Sequence, residues 1–149
     1  MSDNLRELYQ ETIFDHYRRP RNLGRPEGAN REAQGYNPLC GDQVKVYLRV
    51  EDGVVKDAGF EGTGCAISTA SASLMTESLK GRREEEALSL LQSFHSMVTG
   101  AATGDGLGKL EALAGVREFP ERVKCATLAW HTMQSALEQP YGQEAVTTE

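Results

Sequence analysis

Apolar residues recur along the chain with two different periods, which separate the predicted helices from the predicted strands. Residues 4–17 carry apolar side chains at helical spacing, which predicts one inward face: Leu5, Leu8, Tyr9, Ile13 and Phe14. In residues 44–50 every second position is apolar, which is the period of a half-buried strand. Asp52-Gly53 follows as a strong hairpin signal, and residues 54–60 predict the returning strand.

The pattern becomes helical after this hairpin. Residues 66–79 are rich in alanine, serine and threonine, which lets neighbouring elements approach closely. Residues 84–98 are amphipathic, with apolar side chains at helical spacing. A last amphipathic helix begins at Pro120 and turns four side chains inward: Val123, Thr127, Trp130 and Leu137.

Weaker signals complete the predicted organisation. They indicate a short strand at 31–36, a loop at 100–108, a helical turn at 110–113 and a frayed tail at 140–149. The pattern contains no internal repeat and predicts a single domain over residues 1–149. The predicted class is α+β, with a small antiparallel β-sheet and helices packed on one of its faces.

The net charge and its distribution limit the classes of partner that the chain is expected to bind. The net charge of −6 argues against nucleic acid and against an anionic membrane surface. A local basic cluster fits either an acidic protein partner or a solvated loop: Arg18, Arg19, Arg21 and Arg25. The polar residues 1–11 do not resemble a secretory signal, and no apolar run is long enough to span a bilayer. We therefore expect a reducing, cytoplasmic location in which thiols stay free for metal or chemistry.

The chain has three cysteines, and each is predicted near the end of an element. Cys40 and Asp42 precede a strand, Cys65 opens a helix, and Cys125 lies in the opening turns of the last helix. Three thiolates and one carboxylate oxygen complete a tetrahedral shell for Zn²⁺, which predicts a metal site at one exposed end of the sheet. However, the spacing matches no short zinc-finger rule, and a cysteine is often a small buried apolar residue. From the residues alone, both interpretations stay open.

Four segments resemble the U-type iron–sulfur assembly family (IscU-like, SufU-like and NifU N-terminal domains). They are the N-terminal signature at 8–22, NPLCGD at 37–42, GTGCAISTASAS at 62–73 and VKCATL at 123–128. The resemblance implies one ligand set, which is Cys40, Asp42, Cys65 and Cys125. It also implies the cofactor, which is Zn²⁺ in one branch of the family and a [2Fe–2S] cluster in the other.

Two departures from the scaffold branch point to the SufU-like branch. The scaffold branch has a histidine immediately before the last cysteine, where this chain has Lys124, and the connection between the last two cysteines is lengthened around residues 93–110. The SufU-like branch implies a zinc-dependent sulfurtransferase that serves a SufS-like cysteine desulfurase. In that branch a desulfurase side chain takes over the metal, and Cys40 becomes the catalytic sulfur acceptor.

Two alternative functions remain beside the sulfur carrier. The first is a scaffold on which a [2Fe–2S] cluster is built and passed to an apo-protein. The second is a non-enzymatic adaptor whose zinc-bound thiols never leave the metal. A carrier would in turn deliver sulfur to a downstream iron–sulfur scaffold or apo-protein.

A few other polar residues have predicted roles. Lys124 and Arg122 stand beside the last ligand, where they either offset the negative charge of the site or lie exposed on a helix start. His16 is predicted at the end of the first helix, where it either interacts as a cation with the negative end of the helix dipole or contacts a partner protein. His95 and His131 are predicted to be ordinary helix residues, and the serine-rich run 68–73 to serve close helix packing.

Overall fold

The computed structural model describes residues 3–38, 41–138 and 146–147. Its helices are α1 Asp3–Arg18, α2 Ala66–Leu79, α3 Glu84–Val98 and α4 Pro120–Glu138, with a 3-10 helix at Gly108–Glu118. Its strands are β1 Arg31–Asn37, β2 Asp42–Glu51, β3 Val54–Thr63 and β4 Val146–Thr147. The predicted bounds of α2 and α3 are confirmed, whereas the predicted helical turn at 110–113 is part of a longer 3-10 helix.

The strands form one sheet in the order β3-β2-β1-β4. The β1–β2 and β2–β3 pairs are antiparallel. Asp52 (φ 54°) and Gly53 (φ 74°) both adopt the left-handed conformation, which is the geometry that a tight hairpin turn requires. The sequence-based hairpin and the weakly signalled strand at 31–36 are therefore both confirmed.

The strand β4 corrects the prediction for the C-terminal segment. Residues 140–149 were expected to form a frayed tail, and most of them lie outside the described residues. Val146 and Thr147 nevertheless pair in parallel with Gly35 and Tyr36 of β1. The segment is too short and too polar to carry a clear period-two pattern, so its pairing partner is visible only in the fold.

The helices pack on one face of the sheet, and the core lies between them. Val46 and Leu48 of β2 are completely buried, as are Met75 of α2 and Leu128 of α4. They belong to one continuous apolar cluster. The α+β class with helices on one face is therefore confirmed. No helix in the described part of the chain is both long and apolar enough to cross a membrane.

The opposite face of the sheet is covered in part by the segment between α1 and β1. Gly24 N–H donates to the carbonyl of Phe60 at 2.6 Å, which ties this segment to the edge of β3. The Arg25 guanidinium lies 5.5 Å from the centre of the Tyr47 ring. Burial and a hydrogen bond to Glu61 together raise the pKa of Tyr47 to about 12. Arg25, part of the predicted basic cluster, thus contacts this face of the sheet.

The inward face of α1 differs from the prediction in the last turns of the helix, and the predicted side chains of Leu5, Leu8 and Tyr9 lie outside the described ones. Ile13 packs against the core, but Phe14 is 51% exposed and lies under the guanidinium of Arg18. His16 takes the buried position instead, with its Nδ1 atom 2.7 Å from Ser73 Oγ. Helical periodicity cannot identify such a histidine, because its burial depends on a hydroxyl that α2 supplies.

Close packing of α2 against α4 is confirmed. Ser71 is fully buried, donates to the carbonyl of Ala126 at 2.6 Å, and accepts from Trp130 Nε1 at 3.1 Å. Trp130 also stacks on Phe94 of α3, with ring centres 4.5 Å apart. These contacts fix the relative positions of the two helices that carry Cys65 and Cys125.

Candidate metal centre

The register of the sheet brings three chain segments to one end of the fold. Asn37 at the end of β1 pairs with Asp42 at the start of β2, and Gln43 pairs with Thr63 at the end of β3. Helix α2 begins only three residues after Thr63. The start of β2 and the start of α2 therefore meet at this end of the sheet, as the sequence predicted.

Three of the four predicted ligands converge here. A carboxylate oxygen of Asp42 and the sulfur atoms of Cys65 and Cys125 all lie within 4.8 Å of one another. Asp42 and Cys125 are each 1% exposed, whereas Cys65 is half-buried. The fourth predicted ligand, Cys40, lies outside the described residues, so its place in the cluster stays a prediction.

Backbone N–H groups hold two of these side chains. Cys65 N–H donates to Asp42 Oδ1 at 3.0 Å, which joins the start of α2 to the start of β2. Cys65 is also the N-cap of α2, and its sulfur accepts a hydrogen bond from Ser68 N–H at 3.4 Å. The start of α2 therefore fixes the direction in which the Cys65 sulfur points.

The sulfur of Cys125 contacts a backbone carbonyl of its own helix and a side chain of β1. Cys125 lies in the second turn of α4, where its sulfur is 3.6 Å from the carbonyl oxygen of Glu121. The side-chain amide of Asn37 donates to the same sulfur, with an Nδ2 to Sγ distance of 3.9 Å. Asn37 is completely buried and connects the end of β1 to α4 at the cluster.

The chemistry of the cluster fits a bound metal ion. Asp42 Oδ2 is buried and has no hydrogen-bond partner among the described residues. A buried carboxylate oxygen is costly when it is unpaired, and a cation would satisfy it. Thiolates and carboxylates are ordinary zinc ligands, and tetrahedral Zn–S bonds of about 2.3 Å place neighbouring ligand atoms about 4 Å apart. The observed separations therefore suit a single ion held between these three side chains.

Gly64 permits the close approach of Asp42 to the start of α2. A Cβ atom at this position would lie 2.9 Å from Asp42 Oδ1 and 3.1 Å from Ser68 Oγ. We expect Gly64→Ala to displace the Asp42 carboxylate and to lower zinc affinity about tenfold, with little change in thermal stability. Competition with a chromophoric chelator measures the affinity.

Gly115→Ala is the matched control for this substitution. A Cβ atom at Gly115 would meet nothing within 4 Å, and its backbone is not in the left-handed region. Its zinc affinity should equal that of the wild-type chain. An unchanged affinity in Gly64→Ala, or an equal loss in Gly115→Ala, would contradict the assigned role of Gly64.

The histidines do not join the cluster in the described part of the chain. His16 lies in the last turn of α1 and is 1% exposed, with its Nε2 atom 3.5 Å from a carboxylate oxygen of Glu77. Burial lowers its pKa, which disfavours the cationic form. The predicted position at the helix end is therefore confirmed, whereas the burial argues against the predicted contact with a partner. His95 and His131 contact each other edge to face, 5.7 Å apart. Burial, with a smaller contribution from His95, lowers the pKa of His131.

Some residues at the site had no predicted role. Asn37 and Ser68 fall inside the motifs, yet nothing in the sequence distinguishes their contacts to sulfur from ordinary turn and capping chemistry. Arg122 is exposed and Lys124 half-buried on the turn of α4 that precedes Cys125. Their compensation of the charge of the site stays a prediction.

Comparisons with known proteins agree with this architecture. A family profile described as "NifU-like N terminal domain" matches residues 8–145. The chain is 43% identical over 141 residues to the zinc-dependent sulfurtransferase SufU of Bacillus subtilis, covering 93% of this chain and 95% of that protein. It is 39% identical over 145 residues to the iron–sulfur cluster assembly scaffold protein IscU of Streptococcus pyogenes, covering 96% and 91%.

A solved structure gives the same picture. The crystal structure of a putative iron–sulfur cluster assembly scaffold protein for the SUF system, from Fervidobacterium islandicum AW-1, superimposes with a TM-score of 0.81. The two chains are 33% identical, and the match covers 92% of this chain and all of the other. The relatives thus carry both functional names, and overall identity does not separate them.

Proposed function

Because the chain belongs to the NifU-like N-terminal domain family, we propose that it serves iron–sulfur cluster assembly as a zinc-dependent sulfur acceptor and carrier. The observation that carries the proposal is the compact cluster of Asp42, Cys65 and Cys125, in which a buried carboxylate oxygen has no hydrogen-bond partner in the described part of the chain. Similarity to a named zinc-dependent sulfurtransferase over nearly the whole chain supports it further.

The separations of the described ligand atoms suit a single metal ion better than a two-iron cluster, which supports the zinc-dependent proposal. In a [2Fe–2S] cluster the ligands are shared between two iron ions, so ligands to different irons lie further apart than ligands to one ion. All three described ligand atoms lie within 4.8 Å of one another, which suits one ion better. Lys124 also stands where the scaffold branch has a histidine. The scaffold remains the second candidate, because a relative named as a scaffold is almost equally similar.

In the proposed reaction Cys40 accepts sulfur from the persulfide of a cysteine desulfurase. The Cys40 thiolate forms a bond to the outer sulfur of that persulfide. The S–S bond of the donor breaks, and its electron pair leaves with the desulfurase cysteine as a thiolate. Bound zinc would keep the thiols deprotonated and protected from oxidation until this transfer. Asp42, Cys65 and Cys125 would hold the metal while Cys40 reacts.

Persulfide mapping tests the proposal. We expect the wild-type chain, mixed with a desulfurase and free cysteine, to gain one sulfur on the peptide that contains Cys40. Cys65 and Cys125 serve as internal controls in the same molecule. Cys40→Ser should take up no sulfur but keep its circular dichroism spectrum. Sulfur uptake by Cys40→Ser, or a persulfide on Cys125, would remove Cys40 from the role.

Anaerobic reconstitution separates the carrier from its two alternatives. The carrier should retain zinc and stimulate the desulfurase without added sulfide. A stable coloured cluster that transfers to an apo-ferredoxin would instead support the scaffold. An adaptor would bind zinc tightly and show no added mass after incubation with desulfurase and cysteine.

A further inference from the structure

Asn37 is a completely buried polar residue at the edge of the candidate metal centre, and neither the motifs nor the comparisons give it a role. It is the last residue of β1 and pairs with Asp42 across the ladder. Its carbonyl accepts the N–H of Gly41 at 2.9 Å. The backbone of Asn37 is therefore fixed on both sides, which restricts where its side chain can point.

We infer that Asn37 is a positioning residue that holds the sulfur of Cys125 as a metal ligand. This inference rests on the metal centre of the proposed function. The Asn37 amide donates to the Cys125 sulfur with an Nδ2 to Sγ distance of 3.9 Å. Cys125 is 1% exposed, so its thiolate has little access to stabilising water. A neutral N–H donor stabilises a buried thiolate and adds no charge that would repel a metal ion.

The donors to the described ligands are of two kinds. Asp42 accepts from the backbone N–H of Cys65, and Cys65 accepts from the backbone N–H of Ser68. A substitution other than proline leaves both of those backbone donors in place. Cys125 accepts from a side chain, so this contact can be deleted by a single substitution. Loss of an outer hydrogen-bond partner of a metal ligand typically lowers metal affinity 10–100-fold, which is roughly the loss we expect here.

Two substitutions separate the hydrogen bond from simple packing. Asn37→Ala removes the donor and leaves space, whereas Asn37→Leu removes the donor and keeps a branched side chain of similar shape. We expect both to lower Zn²⁺ affinity about 10–100-fold, measured by chelator competition on the full metal-free chain. In the Co²⁺-substituted protein both should also alter the sulfur-to-metal charge-transfer band. Wild-type affinity in Asn37→Leu would overturn the inference and leave only a packing role.

Asn30→Ala is the matched control. The Asn30 side chain bonds both the N–H and the carbonyl of Val50, at 2.9 and 2.8 Å, near the other end of the β1–β2 pair. Its loss should lower the unfolding temperature without changing Zn²⁺ affinity. If Asn30→Ala weakened zinc binding as much as Asn37→Ala does, the effect would be one of general stability and the inference would fail.

A measurement on the wild-type protein is independent of how the variants fold. The side-chain amide NMR signals of Asn37 should shift when Zn²⁺ is added, and those of Asn30 should not. Equal shifts would overturn the inference. Sulfur uptake by Cys40 is measured separately by mass. A chain that takes up no sulfur but still needs Asn37 for zinc would refute the proposed function and leave this inference intact.

Discussion

Asp42→Ala is expected to raise the melting temperature of the metal-free protein and to lower that of the zinc-loaded protein. In the metal-free chain it removes a buried carboxylate whose Oδ2 has no hydrogen-bond partner among the described residues. An unsatisfied buried group costs about 1–3 kcal/mol, and the lost bond from Cys65 N–H offsets about 1 kcal/mol of that gain. We therefore expect the metal-free variant to melt a few degrees higher than wild type, at about 2–4 °C per kcal/mol.

The same substitution should weaken zinc binding by more than about a hundredfold. Removing a ligand costs more than removing an outer partner, for which the loss is already 10–100-fold, in order of magnitude. Calorimetry with and without zinc measures both effects on one sample. Zinc should raise the melting temperature of wild type well above that of the variant, since a ligand that binds the folded state stabilises it by mass action.

Asp105→Ala is the control for this prediction. Asp105 is exposed in the loop before the 3-10 helix and is not part of the cluster. Its removal should change neither the zinc affinity nor the free energy of unfolding by more than about 0.5 kcal/mol. A metal-free Asp42→Ala protein that melts well below wild type would contradict the cost assigned to the carboxylate. Undiminished zinc affinity would contradict its role as a ligand.

Trp130→Ala is expected to produce the largest loss of stability. The side chain is 1% exposed, stacks on Phe94 and donates to Ser71. Replacing a buried tryptophan by alanine costs about 3–5 kcal/mol, because it leaves a cavity, and here it also removes the N–H that donates to Ser71 Oγ. For a chain of this length the melting temperature should fall by about 10 °C or more. Chemical unfolding followed by circular dichroism measures the change.

Phe119→Ala controls for the loss of an aromatic ring. Phe119 is 55% exposed just before α4, so its removal should cost less than about 0.5 kcal/mol. Trp130→Phe is the intermediate variant, because it keeps a ring against Phe94 and loses the donor to Ser71. We expect it to cost about 1–2 kcal/mol. Ser71, Phe94 and Trp130 form the junction of α2, α3 and α4. If Trp130→Ala were as stable as Phe119→Ala, this junction would not contribute to the free energy of unfolding as predicted.

The junction also matters for the metal centre. Ser71 and Trp130 join α2 to α4, the helices that carry Cys65 and Cys125. Because protein interiors are closely packed, a shift of α4 against α2 would move the two sulfur atoms relative to each other. The apolar core thus sets the positions of Cys65 and Cys125, while Gly64 permits the approach of Asp42 and the Asn37 amide contacts the Cys125 sulfur.

Local chemistry was sufficient to predict much of the fold. The Asp52-Gly53 turn, the period-two strand before it and the bounds of α2 and α3 all follow from short-range patterns, and the structure confirms them. The family was also predicted from its motifs, and the profile match bears it out. The turn, the strand and the helix bounds depend on neighbouring residues, so a single sequence contains the information needed to identify them, whereas the family was identified by the resemblance of its motifs to known proteins.

Only the tertiary structure reveals the features that depend on contacts between residues far apart in the sequence. Phe14 is exposed and His16 buried because Ser73 of α2 offers a hydroxyl, and β4 exists because β1 offers an edge. The sequence contains the residue types and order of the four predicted ligands, and the resemblance to the family implied that they form one site. The convergence of Asp42, Cys65 and Cys125, and the contact of Asn37 with sulfur, depend on strand register and helix packing. Such contacts between residues far apart in the chain leave no local pattern, because they form only when the core does.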